Sequence, residues 1–315
     1  MKPQSFLPRV DFGRRLEPHG NAVLHGAGQS PEAFRHYYDA IGRSKPALFM
    51  TYVDLREDIA GYFQTLAYEL DQYAPDHIIP QIGLMMTGSA DADHHPEQHY
   101  EDSVAVGDYD AQISALCQGL EQLRRPAFLR IGFEFNGPWF GYAPSPYVAA
   151  WTRIVSALRQ HNLNDVATVW CYYPLPSRVA GQPDYWAYYP GDAYVDWWAI
   201  DLFSADEFTA EPTRMFLADA ERQGYPVMIG ESTPRWVGGV QGGAATWDAW
   251  FAPYFTFIRA HPVIKAFCYI SWDWTAYPVW QDWGDAWIEV NPVNLDRYQR
   301  ELADPIYRHA SRHME

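Results

Sequence analysis

The chain has 315 residues, 48% of them hydrophobic, which is enough to bury a large core in one domain, and we expect a single catalytic domain over residues 1–315. A formal net charge of −16, from 39 acidic against 23 basic residues, repels a phosphate backbone and leaves no basic stretch for counterion release, so no nucleic-acid partner is expected. The opening MKPQSFLPRVDFGRR has no apolar core of a signal peptide, and no stretch reaches the roughly 18 apolar residues of a membrane span, so the chain reads as soluble, with no membrane partner, either cytoplasmic or secreted with its signal removed.

Taken in chain order, short apolar runs bounded by turn residues alternate with amphipathic stretches. The first runs are Ala22–His25, Ala47–Val53, Ile78–Met86 and Ala127–Phe135, with helical patterns over Ile59–Gln72 and Tyr109–Leu123 between them. A helical pattern over Tyr147–Arg159 leads to Val166–Tyr172 and Trp197–Phe203. Thr213–Arg222 then precedes Val227–Gly230, and Trp247–Ala260 precedes Ile264–Trp272. Eight runs of nearly continuous hydrophobicity suit strands buried on both faces, and eight is the number that closes a parallel barrel. The expected fold is a single (β/α)8 TIM barrel, with a doubly wound open sheet as the alternative. The longest irregular pieces, Thr87–Asp108 and Val237–Thr246, follow strands and so lie on the face where barrels carry function.

Chemistry in such a barrel sits at the C-terminal ends of the strands. Glu134 falls at the end of the fourth run and Glu231 at the end of the seventh. A carboxylate in so apolar a segment is costly unless it is paired or used. For Glu134 alone a salt bridge to Arg130 is a sufficient explanation, but two such acids across a barrel mouth are what glycosidic cleavage needs. One protonates the leaving oxygen while the other attacks the anomeric carbon, and the ionised partner keeps the acid protonated.

The segment Arg130-Ile-Gly-Phe-Glu134-Phe-Asn136-Gly-Pro-Trp139-Phe140 resembles the strand-four motif of glycoside hydrolase family 26, within the clan A retaining glycosidases. VDWWAIDLF is similar to that family's strand six, and PVMIGES to its strand-seven nucleophile segment. The resemblance implies an endo-acting, retaining enzyme on β-linked polysaccharide, β-mannan first and β-1,3-xylan or β-glucan next. By position it makes Glu134 the acid/base and Glu231 the nucleophile, with Arg130 and Trp139 beside the cleaved sugar and Trp272 its stacking floor. It implies no cofactor and no metal. Where the family has a histidine before the acid/base this chain has Phe133, and near the end of strand six it has Phe203 in place of a frequent tyrosine. Two hydrogen-bonding groups are thus missing where sugar is expected, and Tyr172, Tyr173 or Asn136 are the residues to substitute for them.

All 14 tryptophans lie between Trp139 and Trp287, and five fall in the segment after the eighth run. Indoles there either cover the barrel end or stack on the apolar faces of sugars. Other polar strand-end residues are His25, Gln29, Asp54, Asp201 and Asp273, of which His25, Asp201 and Asp273 are taken as substrate-binding with Arg130, Asn136, Trp139, Tyr172 and Trp272. His94, His95 and His99 in ADADHHPEQH are read as a solvated polar loop rather than a zinc site, because no further ligand falls at a recognised spacing. Cys117, Cys171 and Cys268 read as buried free thiols. A carbohydrate is the expected partner, with no obligate protein partner evident. A non-catalytic carbohydrate-binding barrel and a metal-dependent barrel hydrolase are the alternative functions.

Overall fold

The computed structural model describes residues 9–88, 96–175 and 184–310. Eight parallel strands form its centre: β1 (Val23–Gly28), β2 (Leu48–Asp54), β3 (Ile79–Met85), β4 (Ala127–Ile131), β5 (Val166–Tyr172), β6 (Trp197–Leu202), β7 (Val227–Ser232) and β8 (Ile264–Ile270). Each pairs with the next, and β1 pairs with both β8 and β2, so the sheet closes on itself. Closure leaves the central strands no free edge, and the fold is the single (β/α)8 barrel expected rather than an open sheet. A two-residue strand, β9 (Tyr307–Arg308), joins the start of β1 from outside.

All eight expected runs became strands, because each is mostly apolar and buried both toward the barrel interior and toward the helices. The fourth is shorter than its apolar run. It ends at Ile131, and Gly132 and Glu134 both take positive φ, so residues 132–137 turn out of the sheet.

Outside the strands lie α1 (Pro31–Ala40), α2 (Ile59–Asp71), α3 (Glu101–Val106), α4 (Asp110–Leu123), α5 (Pro144–Gln160), α6 (Glu211–Gln223), α7 (Ala244–Thr246), α8 (Ala252–Ala260) and α9 (Pro292–Leu302). A π-turn over Trp247–Phe251 joins α7 to α8. α1 was not anticipated, although Ser30 caps it by accepting from the Ala33 N–H and Pro31 fills its first turn. Between β5 and β6 the described residues contain only 3-10 turns, and Tyr185, Trp186 and Tyr189 cover Trp170 and Trp198 there. Trp151, Trp170, Trp197, Trp198 and Trp250 are fully buried, so these five indoles are packing residues. Cys117, Cys171 and Cys268 are buried free thiols.

His25 is also part of this outer layer, which corrects its assignment to the substrate site. It is fully buried, stacked on Phe267, with Nε2 on the Tyr37 hydroxyl and Nδ1 3.1 Å from Nδ1 of His309. Burial holds His25 well below the ordinary histidine range and lowers His309 too, so both are carried neutral. With its folded-state pKa depressed, a histidine leaves stability intact above its unfolded pKa of about 6.5 and withdraws it as pH falls, because the unfolded chain then takes up the proton. Urea titrations should therefore find wild type losing about 1 kcal/mol between pH 7.5 and pH 5.5 through His25, with a smaller loss in His25→Gln. Equal losses in the two proteins would mean that His25 titrates normally inside the fold.

Candidate active site

The barrel interior below its C-terminal mouth is organised by one fully buried cation. Arg130, from β4, directs Nη1 at both carboxyl oxygens of Asp201 on β6, at 3.1 and 3.2 Å, and Nη2 at Oε1 of Glu231 on β7, at 2.6 Å. Burial opposes the guanidinium charge, but Asp201 and Glu231 more than offset it and set the Arg130 pKa well above its usual value. Burial pushes Asp201 up, and Arg130 opposes that rise. β7 carries glycine at position 230 because a Cβ there would stand 2.6 Å from Oδ1 of Asp201 and 2.8 Å from Nη1 of Arg130. Gln81 on β3 closes this layer by donating to the Gly230 carbonyl.

Glu134 faces this group from the turn after β4. Its φ of +48° is unusual for a residue with a side chain, and the turn is held by the Gly137 N–H on the Glu134 carbonyl and the Phe135 N–H on the Cys171 carbonyl. Phe135 is stacked on Trp170 with centroids 4.5 Å apart, which anchors the turn in the aromatic outer layer. Trp139 folds back over Gly137 and donates Nε1–H to Oε2 of Glu134 at 2.7 Å. Gly137 is required for that approach, since a Cβ would come within 2.5 Å of the indole. Burial raises the Glu134 pKa well above the carboxylate range, the charges of Asp201 and Glu231 add to the rise, and the Trp139 bond and Arg130 pull against it.

Both carboxyls open into one cleft of ≈ 420 Å³. Phe133, Phe140, Trp139 and Tyr173 line it on the β4–β5 side, Gln29 and Tyr52 on the β1–β2 side, and Phe203, Arg235, Trp274, Trp280 and Trp283 on the β6–β8 side. Phe133 lies 4.6 Å from the Arg130 guanidinium and 5.4 Å from the Tyr52 ring, so it covers the buried ion group rather than leaving a void. Tyr52 stays a phenol because burial, and then the charge of Glu231, raise its pKa well above the usual value.

Several residues expected to touch substrate have other tasks. Arg130 and Asp201 lie beneath the cleft and hold Glu231. The Asn136 amide exchanges two hydrogen bonds with the Tyr173 backbone, at 2.7 and 3.0 Å, and thereby fixes the β5 end to the β4 turn. Tyr172 points outward and stacks on Phe216. Trp272 packs against Tyr277 and Trp287, and the cleft takes Trp274 instead. Asp273 caps the turn over Trp274–Ala276 by accepting from the Thr275 N–H and hydroxyl, and Asp54 accepts from the Tyr100 hydroxyl and the Arg56 N–H. Tyr52 and Arg235 were missed. Tyr52 stands inside a continuous apolar run, and Arg235 follows the Glu231 motif by four residues. His94 and His95 lie outside the described residues, while His99 bonds the Glu101 carboxylate at 2.7 Å. Among the described residues no cluster of three or more metal-ligating side chains is found, and no helix is long and apolar enough to cross a membrane.

Comparison with known proteins agrees with this geometry. The family model for glycosyl hydrolase family 26 matches residues 86–218. A β-1,3-xylanase from a Vibrio species is 26% identical over 91% of this chain and 66% of its own length. A β-1,3-xylanase from an Alcaligenes species is 28% identical over 90% of this chain and 64% of its own. The chain thus spans about two thirds of the length of these relatives. The modular endo-β-1,4-mannanase of Cellulomonas fimi superposes with a TM-score of 0.64 at 18% identity, over 93% of this chain and 73% of that one, a likeness of fold. The resemblance to family 26 is borne out.

The packing at position 230 supplies a test that is independent of activity. In Gly230→Ala the new methyl meets two atoms that are themselves locked in an ion pair, so overpacking should cost about 1–3 kcal/mol. At this chain length that amounts to a fall of several degrees in melting temperature, roughly 2–4 °C per kcal/mol. A melting temperature equal to wild type would mean that Arg130 and Asp201 are not held as described.

Proposed function

We propose that this family 26-like chain is a retaining glycoside hydrolase in which Glu134 is the acid/base and Glu231 the nucleophile, with residues 1–315 acting as one catalytic domain. The observation that carries the reading is the unequal treatment of two facing carboxyls. Arg130 donates to Oε1 of Glu231 and fixes that carboxyl, while burial, and then the neighbouring Asp201 and Glu231, raise the Glu134 pKa well above the carboxylate range, as a proton donor requires. In the first step Glu134 gives its proton to the glycosidic oxygen as Glu231 attacks the anomeric carbon, so the C–O bond to the leaving sugar breaks and a glycosyl ester forms. Esterification removes the Glu231 charge that helped hold the Glu134 proton. Glu134, having given that proton up, then takes one from water, whose oxygen attacks the same carbon and frees Glu231. Two displacements leave the β configuration unchanged.

β-1,3-Xylan replaces mannan as the leading substrate, on two grounds. The relatives matched over nine tenths of the chain are β-1,3-xylanases. The cleft near Glu134 presents Phe133, Phe140 and Phe203, apolar walls that suit a pentose without a hydroxymethyl group better than a hexose with an axial 2-hydroxyl. Wild type incubated with β-1,3-xylan, mannan and mixed-linked β-glucan should release reducing ends fastest from the xylan, with the first products in the β-anomeric form by proton NMR. Faster attack on mannan would overturn the substrate order, and α-anomeric first products would overturn retention.

The two glutamates are told apart by substitution. Glu134→Ala should lose on the order of 10²–10⁴-fold on the polymer but much less on a glycoside whose leaving group needs no proton. Glu231→Ala should lose at least as much on both. Equal losses for Glu134→Ala on both substrates would deny Glu134 its acid role.

Trp139 sets the pH range. Its bond favours ionised Glu134, so Trp139→Phe should raise the Glu134 pKa and move the alkaline limb of kcat/KM upward by about one pH unit, the equivalent of one charge-assisted hydrogen bond. A limb that stays in place or moves down would mean that another group controls it.

A further inference from the structure

Outside the cleft, one large aromatic residue is both exposed and held rigidly. Trp236, in the loop after β7, is 60% exposed and has a φ of +61°, a left-handed conformation that a bulky side chain makes costly. Such a conformation persists only where the surroundings impose it. Here they do. The indole Nε1 donates to Oδ2 of Asp282 at 2.7 Å, and one face of the ring lies 4.4 Å from the Arg235 guanidinium. Arg235 in turn donates to Asp282 at 3.2 and 3.3 Å, and its backbone N–H is fixed to the Phe203 carbonyl at 3.1 Å. The same guanidinium also lies over the Trp283 ring, again at 4.4 Å.

One cation thus contacts two indoles, and one carboxylate ties the loop after β7 to the loop after β8. Trp283 continues inward to Trp274 and Phe203, at 4.9 and 4.7 Å, and all three line the cleft. The aromatic wall of the cleft therefore runs outward through Arg235 to an indole at the surface. With its N–H already bonded and Asp282 neutralised by Arg235, Trp236 presents an apolar face and no spare donor. That chemistry fits the CH face of a neutral pyranose.

We propose that Trp236 is an outer sugar-stacking platform, a subsite for a pyranose unit of the glycan away from the two glutamates and continuous with the cleft on its β7–β8 side. The proposal rests on the glycan-cleaving reading for its ligand, but its test is binding rather than turnover.

Co-sedimentation with particulate β-1,3-xylan should be measured for wild type, Trp236→Ala and Trp236→Phe, with melting temperatures to verify folding. Trp236→Ala is expected to bind about three- to tenfold more weakly, and Trp236→Phe to recover most of the loss. Hydrolysis of a short chromogenic β-1,3-xylobioside should stay at the wild-type rate in both variants, while KM for the polymer rises and kcat does not fall. Trp236→Ala that co-sediments like wild type overturns the platform, as does wild type that fails to bind the xylan. Wild type that binds, and loses binding in Trp236→Ala, but releases no reducing ends overturns the hydrolase reading and supports the platform.

Discussion

The structure of the site depends on one buried guanidinium. Arg130 has no exposure, and a bare cation in that position would be untenable, so the interior of the barrel must supply counter-charge. It does so from two other strands, with Asp201 behind and Glu231 toward the cleft. This fixes the carboxyl of Glu231 in place. A third acid, Glu134, lies close to both from a nearly dry position, and burial first, then these two neighbours, raise its pKa well above the carboxylate range. The division of labour between the two glutamates is thus a consequence of how one arginine is neutralised. The glycine at position 230 and the phenylalanine at 133 belong to the same arrangement, one by leaving room for the ion group and the other by covering it.

Much of the fold could be read from the chain because parallel barrel strands are hydrophobic on both faces, and the eight runs are correspondingly plain. The same property hid which face each residue takes. His25 and Tyr52 both sit in or beside apolar runs, yet one is packed outward against Tyr37 while the other looks into the cleft. No alternation distinguishes them. The pair of glutamates was visible because acids are conspicuous in apolar segments, and the motifs around them carried the family resemblance. Their surroundings were less visible. Glu134 lies beyond the end of β4 in a left-handed turn, which nothing in GFEFNG specifies except its two glycines. The cleft takes Trp274 rather than Trp272, and the turn that begins at Trp274 is capped by Asp273, a local arrangement that no apolar pattern records.

Aromatic residues are divided between two tasks by depth. Trp151, Trp170, Trp197, Trp198 and Trp250 fill the layer between strands and helices, where a large rigid ring buries much area at little entropic cost. Trp139, Trp274, Trp280 and Trp283 instead form walls of the cleft. Residue type cannot separate these groups, since the deciding variable is whether the indole lies within a strand or an outer helix or in a loop that follows a strand. The acids on the rim are similarly committed, with Asp282 and Asp273 holding loops in place rather than waiting for ligand.

The most direct test of the central claim is chemical capture of the first intermediate. Glu134→Gln should be incubated with an activated 2-deoxy-2-fluoro-β-xylobioside and read by intact mass and peptide mapping. The account predicts one added glycosyl group, stable to gel filtration, on the carboxyl of Glu231. No adduct, or an adduct on any other residue, would contradict it.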